Sequence, residues 1–114
     1  MNKKIGDGDF HVVMPFVHYT GEAVAKAIKP LDLNKAEPSE IYHHGGAWVK
    51  NMERLRNRNH LPHEVIFTVK LPERGKRLNA ANEICAELHA LGLESVPFDD
   101  TQRVRSAVEI AEAA

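Results

Sequence analysis

The chain reads as a small single-domain α/β (α+β) protein, and three observations carry that class. A run rich in β-branched and aromatic residues lies at 63–71, and an amphipathic helix pattern follows it at 78–91. Along the whole chain the apolar period switches between about 2 and about 3.6 residues, as strands and helices in alternation require. With 114 residues, 43% of them hydrophobic, one core can form without disulfides or a structural metal. One domain over 1–114 is therefore expected, with 1–8 as a disordered end.

Taken in order, residues 10–19 are apolar on both parities, since Phe10, Val12, Met14 and Phe16 alternate with Val13, Val17 and Tyr19. That suits a strand buried on both faces, with a bulge or strand end near Met14 because Pro15 cannot donate to a ladder. Thr20 can cap a short helix at 21–29, with Glu22 in its first turn and Pro30 after it. Residues 31–39 read as loop, and 40–44 as a short strand stopped by Gly45 and Gly46.

A helix is predicted at 47–58, where Trp48, Met52 and Leu55 recur at helical spacing. A turn at 59–62 leads to the strand at 63–71, whose Val65, Phe67, Val69 and Leu71 share one face, with Ile66 on the other. The helix at 78–91 carries Leu78, Ala81, Ile84, Cys85, Leu88 and Leu91 on one side and ends at Gly92. A strand at 93–98 follows. Asp99 and Gln102 form a capping-box pattern ahead of a last helix with Val104, Ala107, Val108 and Ala111 as its apolar stripe.

Two arrangements fit a two-layer sandwich. A ferredoxin-like order uses 40–44 as its second strand and is preferred. A small open mixed sheet drops that strand and joins parallel strands by helical crossovers.

Cys85 is the sole cysteine, which excludes a disulfide within the chain and favours a reducing compartment. No apolar run reaches the roughly 18 residues of a membrane span, and MNKKIGDGDF lacks the apolar stretch of a signal peptide. A soluble, cytoplasmic protein is expected. The formal charge of −1 conceals segregation: residues 1–49 sum to −1, 50–77 to +5 and 78–114 to −5. A basic middle of this kind suits phosphates or an acidic protein surface as partner.

Within that middle, Lys50, Arg54 and Arg58 fall at i, i+4 and i+8 and line one helix face. Arg74, Lys76 and Arg77 lie in the loop PERGKR, just before a helix whose first N–H groups are free to hold an anion. These six residues are the candidate binding residues. The loop lacks the glycine spacing of a Walker motif, and there is no GxSxG elbow.

His43, His44, His60 and His63 are the candidate metal ligands, because one of the tandem pair with the other two would make a three-histidine set with an open position. The tandem histidines with later asparagines and a further histidine are superficially similar to the HNH-type nuclease pattern. Their intervals depart from it, and the family is not assigned.

The expected function is a non-enzymatic cytoplasmic binding module, regulatory in role, with a basic face for nucleic acid or an acidic protein; no metal or cofactor is expected. A histidine-metal hydrolase or nuclease and a homodimeric interaction module are the alternatives.

Overall fold

A computed structural model describes residues 3–20 and 23–98 of the chain. Its elements run β1 (Lys3–Gly6), β2 (His11–Met14), β3 (Phe16–Thr20), β4 (Ala23–Asp32), α1 (Pro38–Asn57), β5 (Glu64–Lys70), α2 (Gly75–Ala90) and β6 (Glu94–Pro97). The last helix expected from the sequence lies outside the described residues. β1 and β2 form a two-stranded antiparallel sheet, and β3-β4-β5-β6 a four-stranded one. In the larger sheet β3 is antiparallel to β4, while β4, β5 and β6 are parallel.

This is a small α+β fold with an open mixed sheet, in which the parallel strands are joined by helical crossovers. The preferred ferredoxin-like order is not found, because 40–44 is helix: α1 runs for 20 residues straight through Gly45 and Gly46. The reading of that glycine pair as a strand stop is corrected by what faces it. A Cβ on Gly45 would stand 2.7 Å from Ile84 Cγ2 and 2.8 Å from Ile84 Cγ1, so the missing side chain is what lets α1 and α2 approach. Packing here outweighs the roughly 1 kcal/mol that glycine costs a helix interior relative to alanine.

The helix expected at 21–29 is also corrected, for its described residues, 23–29, belong to β4. Its alanines, glutamate and lysines favour helix locally. In the fold Ala27 pairs with Val17 on one side and Val65 on the other, and Ala27 and Ile28 are buried on opposite faces. Two flanking strands and burial of both parities override propensity. Pro30 is accommodated because β3 begins at Phe16, opposite Ile28, so that Pro30 lies beyond the antiparallel partner and pairs only in register with Thr68.

Pro15 does divide 10–19 as expected, and more completely than a bulge would, since β2 and β3 lie in different sheets. Of residues 1–8, Lys3–Gly6 form β1, which pairs with β2 from Lys3 opposite Met14 to Gly6 opposite His11.

The main core lies between the four-stranded sheet and α1, α2 and the β1-β2 hairpin. Phe67, Met14, Leu31, Ile41, Met52, Leu55, Ile84 and Leu88 are fully buried in it. With the sheet order stepping one way from β4 to β6, crossovers of one hand put both helices on the same face. The hairpin contributes Ile5, Val12 and Met14 to that core. On β5, residues 65–69 are buried without interruption, the pattern of a strand covered on both faces. A second, separate cluster of Ile28, Ile66 and Val96, with Phe16 at its margin, occupies the opposite face of the sheet.

Both helices end alike. Asn59, at φ 61°, and Gly92, at φ 84°, take the left-handed position after the last turn. His60 N–H then donates to Leu55 O at 2.9 Å and Leu93 N–H to Leu88 O at 3.1 Å. These are the long-range bonds of a Schellman stop, and each leads the chain into the next parallel strand.

Two stability measurements check this packing. Phe67→Ala and Leu88→Ala should each cost about 2–5 kcal/mol in urea unfolding, as buried large-to-small changes do. Gly46 has nothing within 4 Å of a Cβ, so Gly46→Ala should stabilise by about 0.5–1 kcal/mol. Gly45→Ala should destabilise instead, since overpacking of roughly 1–3 kcal/mol exceeds the propensity gain. In an Ile84→Ala background its sign should reverse; equal effects of the two glycine substitutions would contradict the close helix approach.

Candidate functional site

Because α1 returns from the carboxyl end of β4 to the amino end of β5, its two ends lie at opposite edges of the sheet. At 1.5 Å per residue, Pro38 and Arg54 are separated by roughly 24 Å along the axis. The two basic groups expected from the sequence are therefore apart. Arg74, Lys76 and Arg77 stand at the carboxyl edge of the parallel strands, and Lys50, Arg54 and Arg58 at the amino edge.

The carboxyl edge is assembled from three segments. α2 begins at Gly75, earlier than the predicted 78, so Lys76 and Arg77 are in its first turn rather than in a loop before it. Gly75 adopts φ +77° with open space around it, which makes its backbone conformation the reason for glycine. Arg74, at the N-cap, gives no side-chain cap, and no acidic residue lies in the first turn. Among the described residues no side chain caps the first N–H groups of α2, which lie beside two exposed cations, Arg74 and Lys76.

Arg77 is held in place. Its Nη1 donates to Lys35 O at 3.2 Å and to Asn34 Oδ1 at 3.4 Å, which ties the start of α2 to the β4-α1 loop. Lys35 brings a further cation, 3.9 Å from Asp32 Oδ2. Lys35 also borders an open depression of about 630 Å³ with Ser39, Glu40, His43 and His44. Burial, reinforced by the nearby Lys35 ammonium, pushes the His44 pKa below its ordinary value. Carboxylates are present at this edge too, in Asp32, Glu40 and the exposed Glu73.

At the amino edge the arginine stripe is largely engaged within the chain. Arg54 stacks over the Phe10 ring at 5.1 Å from its centroid. Arg58 Nη1 donates to Asp7 Oδ2 at 3.0 Å, and His60 Nε2 is 3.3 Å from the same oxygen. Lys50 and Arg54 border a shallow depression of about 260 Å³ with Glu53 and Asn57. The i, i+4, i+8 alignment is real, but two of its three members hold the β1-β2 hairpin against α1.

Asp7 is the centre of that attachment. Its Oδ1 accepts from Phe10 N–H at 2.8 Å and from Asp9 N–H at 2.9 Å, closing the hairpin turn. These backbone bonds, with Arg58 added, lower its pKa from 3.8 to about 2.

The four candidate metal ligands do not converge. His43 and His44 are on the amino-terminal half of α1, not on a strand, while His60 and His63 follow its other end, with about 20 Å of helix axis between the pairs. Among the described residues no group of three or more His, Cys, Asp or Glu side chains could hold an ion. Cys85 is half-buried against the core; burial raises its pKa, against a hydrogen bond with Ser95. Trp48 meets Phe67 edge-on at 6.1 Å between centroids and has the Lys29 ammonium over its ring at 5.1 Å, so it is a core residue with a capped outer face.

Sequence reasoning missed Lys35 and Asn34, which sit 39 or more positions before Arg74 and join it only through the crossover. It also passed over Asp7. The Asp-Gly-Asp turn before an apolar run was the available signal. Comparison with protein-family models, curated proteins and solved structures finds no match to this chain. Among the described residues no helix is long and apolar enough to cross a membrane.

The lowered pKa of Asp7 gives a pH test. The ionised carboxylate's contribution to holding the hairpin is complete above 3.8 and is lost as pH falls through about 2. Protection factors of the β1 and β2 amides should therefore fall towards pH 2, and Asp7→Asn should show the same loss of protection already at neutral pH. β5 amides should stay protected in the variant. Unchanged hairpin exchange in Asp7→Asn would contradict the attachment.

Proposed function

We propose that the chain is a non-enzymatic cytoplasmic binding module that takes a polyanion at the carboxyl edge of its parallel strands, with Arg74, Lys76, Arg77 and Lys35 as contacts. Nucleic acid is the partner this chemistry fits first. The observation that carries the reading is the pairing of an uncapped helix amino end with two exposed cations, Arg74 and Lys76, which have no ion pair among the described residues. Backbone N–H groups and a positive dipole end favour phosphate oxygens at that position. Arg77 supports the edge by fixing α2 to the β4-α1 loop.

Lys50 is the member of the Lys50, Arg54, Arg58 stripe that stays available, since Arg54 and Arg58 are already in contact with the hairpin. A ligand long enough to run along α1 would reach it. Contacts of this type read the backbone of a nucleic acid, so sequence discrimination should be slight.

The test is a titration of labelled RNA, single-stranded DNA and duplex DNA across salt concentrations. Arg74→Gln with Lys76→Gln should weaken binding and lower the salt slope by about two units on duplex DNA. Lys50→Gln should lower it by about one or less. Changing Lys50, Arg54 and Arg58 together should also loosen the hairpin, an effect the sequence pattern alone did not predict. No binding to any of the three at low salt would eliminate nucleic acid. Retention of an acidic protein, lost in the Arg74/Lys76 variant, would then identify the other polyanionic partner.

A further inference from the structure

The face of the sheet opposite the helices is buried, although none of the described elements covers it. Ile28 is 1% exposed, Thr68 3%, and Ile66 and Val96 4% each. Their register aligns them as one patch: Phe16 is opposite Ile28, Ile28 opposite Ile66, and Thr68 opposite Val96. Lys26, only 8% exposed, borders it with its ammonium 3.6 Å from Glu64 Oε2. Both helices and the hairpin contribute to the other cluster, on the other face.

We propose that residues 99–114 of this same chain occupy that face, as an amphipathic helix laid across β4, β5 and β6 with Val104, Ala107, Val108 and Ala111 against Ile28, Ile66 and Val96. Three observations select this occupant. The first is position, because the chain leaves β6 at its carboxyl end with Phe98 N–H still bonded to Val69 O at 2.7 Å, and residues 99–114 follow directly. The second is length: a helix over 101–113 would be about 20 Å long, close to the roughly 23 Å of seven-residue β5. The third is pattern, since those four residues recur at helical spacing.

Charge is compatible with the placement. A helix returning from Phe98 brings Glu109 and Glu112 towards the amino edge, where Lys26 is the buried cation. The fold then has three layers, as parallel strands buried on both faces require.

The direct test is methyl NMR on the full chain. Cross-relaxation between the methyls of Ile66 or Val96 and those of Val104 or Val108 is expected within one molecule. If the contacts appear only between molecules in an isotope-mixed sample, a second copy covers the face and the proposal fails. Absence of any contact to Val104 and Val108 also overturns it. In a parallel measurement, Val104→Asp with Val108→Asp should raise the fluorescence of an apolar dye several-fold and lower the urea midpoint, whereas Ser106→Asp, off the stripe, should leave both unchanged. Equal behaviour of the two variants would refute the assigned orientation.

Discussion

The parallel pairing of β4 with β5 constrains nearly everything else in this molecule. Two parallel neighbours cannot be joined by a tight turn, so the chain between Asp32 and Glu64 has to travel back along the whole strand. α1 is that return. Its 20 residues follow from the distance to be covered, and the glycine at position 45 follows from the need to lie close against α2. The arrangement also divides the polar residues between two edges, because the loop that leads into α1 lies at the carboxyl edge and the loop that leaves it at the amino edge.

That division determines which chemistry is open to the chain. The histidine pairs that frame α1 in sequence are kept apart by the helix between them, and a shared metal site is geometrically out of reach for all four. The carboxyl edge gains instead. Segments distant in sequence meet there, and Arg77 joins them by bonding to both Asn34 and Lys35. Anchoring one arginine while leaving Arg74 and Lys76 exposed gives a fixed frame with exposed cations on it.

The hairpin decides the fate of the second basic group. β1 and β2 occupy the helix side of the sheet and bring Asp7 and Phe10 to the end of α1. A salt bridge at a partly exposed surface contributes modestly, screened as it is by solvent. Here it acts together with the turn bonds of Asp7 and the burial of Ile5, Val12 and Met14. Arg54 and Arg58 consequently serve the fold first, and a count of arginines overstates the charge available to a partner.

Residues 63–71 and 78–91 were legible in the sequence because their apolar periodicity reports burial directly, and Phe67 and Leu88 are fully buried as that periodicity requires. The break at Pro15 and the stop at Gly92 were legible too, each from one residue's covalent geometry. The carboxyl-edge cations were half visible: Arg74, Lys76 and Arg77 stand together in sequence, whereas Lys35 joins them only in space. What the tertiary structure alone decided are the segments where local preference and packing disagree. Residues 23–29 favour helix by composition, yet become strand between two partners that burial rewards on both faces. Gly45 weakens a helix in isolation, yet is required where Ile84 leaves no room for a methyl group. In both cases the deciding contacts come from far along the chain, and no local pattern can record them.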